Sequence, residues 1–222
     1  ASAWDFDRTD LVAHNGKDKH CYGLEKTTMD PLVFFDDLVE RYRQLDEYRD
    51  TTQLLQITRR PGEEDLKQET KLLCEIRDEE LIVETPMQKI REGFGLNLPI
   101  KTTDAMQQMQ RRYQLWLAPH MALRFVEHPL QDLREGVEDG FTPRVAAYVI
   151  HNDRRMVHLK LKSGDGLSEM SQTTFDFYIN PESMLIEHIE CVEHRPDGSD
   201  FITTLQITPF LDDDQQTESL VG

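Results

Sequence analysis

Three side chains in the last fifth of the chain, His188, Glu190 and His194, recur at every second or fourth position. In a strand, residues two apart share a face, so two imidazoles and a carboxylate would project together. That donor set is a normal zinc shell. His158 on another strand, or His20 and Cys21 near the start, could add a further ligand. Against this, 8 His and 42 acidic residues make such coincidences common, and structural zinc sites show tighter ligand pairs. A solvated sheet face is the preferred reading, with no metal and no other cofactor expected.

Other chemistries are weaker. Gly93-Phe94-Gly95 lacks the third glycine, the flanking elements and the Lys-Ser or Lys-Thr of a phosphate-binding loop. Cys74 and Cys191 fall inside predicted strands, where cysteine acts as a small hydrophobe. Ser163 and Ser168 sit in turn chemistry without a G-x-S-x-G frame. Asp36-Asp37 and Glu63-Glu64-Asp65 read as a solvated helix flank and a hairpin turn. No enzyme is expected. Met106, Met109, Tyr113 and Trp116 share one helical face. Methionine and aromatics adapt to irregular apolar guests, although an ordinary packing helix gives the same stripe.

The elements that must position these residues follow from hydrophobic period. Asp30-Pro31 opens a helix, with aspartate accepting from free N–H groups and proline where its missing donor is harmless. Apolar residues from Leu32 to Leu45 then recur at three and four, which predicts a helix to about Tyr48. From there the period is two. Leu66 to Arg77 alternates strictly, Thr51 to Arg60 is its partner across Pro61-Gly62, and Glu80 to Thr85 is a third strand. A second helix is expected at residues 103–117, from Asp104 to the stop at Pro119, with short helical pieces broken by Pro129 and Gly136. Period two returns at residues 144–151, 155–162, 173–179, 183–194 and 200–208, separated by Asn-Asp, Gly-Asp-Gly, Asn-Pro and Pro-Asp-Gly turns.

Charge narrows the partners. With 25 Lys and Arg against 42 Asp and Glu, the chain carries a formal charge of -17. It therefore repels phosphate backbones and anionic headgroups, and nucleic acid is excluded as an expected partner. Apolar runs such as 31–35 and 145–150 fall far short of the roughly 20 residues that span a bilayer, so no transmembrane segment is expected. Ala1-Ser2-Ala3 matches the small-residue pattern at a signal-peptidase cut, which suggests export. Three cysteines without C-x-x-C spacing allow at most one disulfide.

The helix ending at Leu45-Asp46-Glu47-Tyr48-Arg49-Asp50 and running into Thr51 to Ile57 resembles the opening of the periplasmic lipoprotein-carrier and receptor superfamily. Phe175 to Leu185, a strand, a proline turn and a strand, resembles a late segment of the same proteins. The resemblance implies a strongly curved antiparallel sheet, an unclosed half-barrel with helices across its concave apolar face. It also implies a cavity that accepts acyl chains.

The resulting expectation is an α+β chain with an N-terminal arm at residues 1–29, a single carrier-like domain at 30–210 and an acidic tail at 211–222. Leu72, Cys74, Ile76, Phe175, Phe177, Ile179, Leu185 and Ile189 would floor a groove, and Met106, Met109, Tyr113 and Trp116 would cover it. The expected partner is a lipid or acyl chain in the periplasm or cell envelope. The alternative is a non-catalytic interaction module with a filled core, whose acidic exterior or free strand edge meets another envelope protein.

Overall fold

A computed structural model of the chain describes residues 21–22, 29–77, 79–85, 114–134, 137, 140–164 and 172–210. Most of the expected arm, the acidic tail, Gly93-Phe94-Gly95, Met106, Met109 and Tyr113 lie outside these residues.

Helix α1 spans Pro31–Arg43. Its N-terminus forms as the sequence dictates, with Asp30 Oδ1 accepting from the amides of Leu32 at 2.9 Å and Val33 at 3.2 Å. Such a cap contributes about 1 kcal/mol. The helix stops a turn earlier than its apolar period suggests. The Gln44 amide still donates to the Glu40 carbonyl, but Leu45 already closes a tighter bond to Tyr42. Tyr48, which continues the helical spacing, instead begins a strand and pairs with Ile76.

Strands β1 (Cys21–Tyr22), β2 (Tyr48–Arg59), β3 (Leu66–Arg77) and β4 (Glu80–Glu84) precede a connecting segment. Its residues 114–117 are helical, followed by a 3-10 turn at Pro119–Met121, α2 (Ala122–Phe125) and α3 (Pro129–Asp132). Pro129 sits in the first turn of α3 and opens that helix. Strands β5 (Phe141–His151), β6 (Arg154–Ser163), β7 (Gln172–Asn180), β8 (Leu185–His194) and β9 (Asp200–Pro209) complete the fold.

The nine strands of the described residues form one antiparallel sheet in the order β1-β5-β6-β7-β8-β9-β2-β3-β4. Two meanders are joined where β9 pairs with β2, from Asp50 opposite Pro209 to Arg59 opposite Asp200. The sheet is curved and does not close: β1 and β4 remain at its two edges. This is the α+β half-barrel architecture that the resemblance implied, built from the strands that the alternation predicted. The turn chemistry explains the register. Asn152 and Asp153 both hold positive φ, of 49° and 60°, which makes the two-residue turn that matches strand twist.

The inner face and the helices share one apolar core. It runs from Leu54 on β2 and Val83 on β4 to Leu161 on β6 and Ile189 on β8, with Phe35, Leu38 and Tyr42 of α1 and Leu123 of α2 packed onto it. The connecting segment must cross from β4 at one edge to β5 near the other, and that route lays its helices over the same face. Gly140, just before β5, has φ +65°, and a Cβ there would meet the Leu130 carbonyl oxygen at 2.7 Å. No helix is long and apolar enough to cross a membrane among the described residues.

Candidate functional site

Strand alternation sends every second residue inward. On β3 these are Leu72, Cys74 and Ile76, on β7 Phe175, Phe177 and Ile179, and all are 3% exposed or less. Four of the residues expected to bind ligand, Leu72, Ile76, Phe175 and Phe177, thus belong to one continuous apolar surface with Leu185 and Ile189. Trp116 is half-buried against that surface. It stacks on Phe201 of β9 with ring centroids 6.4 Å apart, and the Arg134 guanidinium lies 5.2 Å from its ring. Met106, Met109 and Tyr113, the rest of the expected cover, fall outside the described residues.

The same alternation places polar groups inside the core. Tyr48, Asp50 and Thr52 occupy inward positions of β2, and Asp50 faces Cys74 across the β2–β3 ladder. The 3-10 turn at Pro119–Met121 brings His120 onto them, with Nε2–H donating to Asp50 Oδ2 at 2.9 Å. Thr52 Oγ1–H donates to the other carboxylate oxygen at 2.8 Å. Asp50 and His120 are fully buried. The rings of Tyr42 and Tyr48 flank the imidazole at 6.4 Å and 6.1 Å between centroids.

Burial first, and then the Asp50 charge, pushes the Cys74 thiol well above its ordinary range. Burial, with the Tyr42 and Asp50 charges, does the same to the Tyr48 phenol. The Tyr48 hydroxyl and His120 Nδ1 have no hydrogen-bond partner among the described residues, although Asp50 lies near enough to act on Tyr48. One donor atom each from Asp50, Cys74 and His120 lie within 4.8 Å of one another. Carboxylate, thiol and imidazole so placed can share a proton or hold a cation.

No family model and no curated protein matches the chain. One solved structure, a DUF1329 family protein from Desulfovibrio piger, aligns with 83% of this chain and 94% of its own at 9% identity and a TM-score of 0.24. That likeness is distant.

The zinc-type set weighed against a solvated face on β8 does not assemble among the described residues. His194 is exposed and Nδ1 lies 2.7 Å from Asp200 Oδ1, Glu190 is exposed, and His188 packs against Tyr178 and His151 at 5.3 Å and 4.8 Å between centroids. The reason is spacing, since residues two and four apart on an extended strand are about 7 and 13 Å apart. The described residues bring no third ligand between them. His158, offered as a further ligand, has Nε2 2.6 Å from Asp176 Oδ1 instead. Cys74 and Cys191 are both buried free thiols.

The Asp50–Cys74–His120 cluster escaped the sequence reading because its members are scattered, with His120 70 residues from Asp50. One signal was present. Asp50 occupies the inward phase of a strand that also carries Tyr48, Thr52 and Leu54 in that phase, and an acidic residue in a core position needs a partner.

On the sheet's outer face, Val149, Met156 and Tyr178 form a second small cluster. Two surface grooves of about 450 Å³ and 260 Å³ also lie on that side, lined mainly by polar residues such as Gln53, Lys71 and Gln206 in the first and Glu187, His188 and Gln206 in the second.

Proposed function

We propose that this protein is a non-enzymatic cell-envelope protein that holds an apolar ligand, a lipid or the acyl chain of a lipoprotein, between the curved sheet and its helices. The observation that carries this reading is how α1 is seated. Phe34, Phe35, Leu38 and Val39 are buried on the inner face. Among the described residues, the side-chain hydrogen bonds from α1 to the sheet and its turns come only from its last turn. Arg41 Nε donates to the Ser183 carbonyl at 3.1 Å, and Tyr42 Oη accepts from the Ile186 amide at 3.0 Å.

Among the described residues, the first two turns of α1 are therefore held to the sheet by apolar contact. An acyl chain can take their place without stranding a polar group, driven by about 0.8 kcal/mol per buried CH₂. No charged anchor is required. Residence in the envelope is the part supported by the lipoprotein-carrier resemblance, and cell fractionation tests it directly.

A filled-core interaction module is the second reading, favoured by the near-complete burial of the floor residues Leu72, Ile76, Phe175 and Phe177 at 0–3% exposure. Native mass spectrometry and organic extraction of the purified protein, followed by titration with a fluorescent long-chain fatty acid, separate the two. The carrier reading expects co-purifying lipid or saturable uptake near one equivalent. Repeated failure to find or load an apolar ligand assigns the filled core.

A further inference from the structure

We propose that Asp50, Cys74 and His120 form a binding site for one zinc-type divalent cation, held by a carboxylate oxygen, a thiolate and an imidazole nitrogen. The site ties β2, β3 and the connecting segment together under the helices. It is independent of any apolar ligand.

Geometry is the first argument. Asp50 and Cys74 are register partners on the inner face, and the 3-10 turn lowers His120 between them, giving three donors within 4.8 Å of one another. A tetrahedral shell with bonds of about 2.0–2.3 Å sets its ligand atoms roughly 3.3–3.8 Å apart. The 2.9 Å separation of His120 Nε2 and Asp50 Oδ2 must open slightly, and the widest pair must close by about an ångström, both side-chain adjustments. The mixed oxygen, nitrogen and sulfur set suits zinc over magnesium or calcium, which take oxygen shells.

Charge is the second argument. A divalent ion with one carboxylate and one thiolate makes a neutral centre in an apolar interior, where an unbalanced charge is costly. Binding forms the metal–oxygen, metal–nitrogen and metal–sulfur bonds and releases the Cys74 thiol proton to solvent, while the neutral imidazole keeps one proton on its other nitrogen. With Asp50 and His120 fully buried and Cys74 at 1% exposure, substrate has no route to the ion. The role is structural.

The test uses the full chain purified without chelator, and the same protein unfolded with chelator and refolded with cobalt(II). The expected results are about one equivalent of metal by elemental analysis, a thiolate-to-cobalt charge-transfer band, and a Tm raised by metal. Cys74→Ala removes the band, whereas Cys191→Ala keeps it. Folded wild-type protein that takes up less than about a tenth of an equivalent of zinc or cobalt overturns the proposal. So does a band that survives in Cys74→Ala. Where Cys74→Ala fails to fold by circular dichroism, the wild-type stoichiometry decides, together with the band in Cys191→Ala.

Discussion

The Tyr42 hydroxyl of α1 accepts a hydrogen bond from the Ile186 amide of β8 at 3.0 Å, across 144 residues of sequence. The bond exists because the β7–β8 ladder slips. Tyr178 pairs with His188, but Ile179 pairs with Ile186, so Glu187 is the extra residue of a bulge. Arg154 and Asn180 hold that carboxylate outside, at 2.7 Å and 2.8 Å, and the phenol satisfies the amide inside. Tyr42→Phe leaves the Ile186 N–H buried and unmatched, which costs about 1–3 kcal/mol. Urea denaturation should show the midpoint falling at unchanged slope. A loss below a few tenths of a kcal/mol would mean water reaches the amide.

Asp176 on β7 gives a pH prediction. Burial alone would raise its carboxyl, but the hydrogen bond from His158 and the Lys160 charge more than offset this, and the net shift is downward. A depressed folded-state pKa contributes stability that is fully present above the unfolded value of about 3.9 and is lost as pH falls through the folded value. The stability gap between wild type and Asp176→Asn should therefore be level near neutrality and narrow below about pH 4. A gap independent of pH down to pH 2 would show that the carboxylate charge is not what stabilises.

Cys191 tests the burial of the inner face without perturbing it. Burial pushes its thiol up to about 12, against a smaller opposing influence from Arg134. The thiolate is the reactive form, so iodoacetamide at pH 8 should leave the Cys191 peptide unmodified in native protein and label it in denaturant. Labelling at the native rate of an exposed thiol would place Cys191 in a solvent-open groove.

Gly140→Ala probes the junction between connecting segment and sheet. Its positive φ and the 2.7 Å approach of a Cβ to the Leu130 carbonyl leave a side chain no room, and the strained conformation alone costs of order 1–3 kcal/mol. Thermal unfolding should fall by several degrees. Gly62 has φ +79° with open space around it, so Gly62→Ala should cost less, and equal losses would count against the steric argument.

What the sequence revealed follows the range of the interaction. Leu66 to Arg77 was legible because alternation is local, and Asp30-Pro31 because a cap binds amides two and three residues on. The end of α1 was not, since Leu45 and Tyr48 keep helical spacing while their burial comes from the loop and from β2. His188 and His194 suggested a ligand pair through local spacing, whereas the donors that do converge, Asp50 and His120, meet only through the 3-10 turn over the sheet. Periodicity reports which way a side chain points, not which distant residue waits there.

Phe35→Ala distinguishes the two functional readings by making stability and binding move together or apart. Phe35 is 2% exposed under α1, so removing its ring should cost about 3–5 kcal/mol by lost transfer energy and a residual cavity. In a filled core that cavity, on the order of 100–150 Å³, admits only a benzene-sized guest, and affinity for a long-chain fatty acid stays negligible. In a carrier, α1 competes with the ligand for the inner face, and weakening its seat should tighten fatty-acid binding several-fold while the midpoint of unfolding falls. Chain length is the deciding variable. Affinity that climbs from eight to sixteen carbons requires an extended surface from which the helix can be displaced, whereas affinity that peaks at the smallest guests locates the binding in the engineered hole alone.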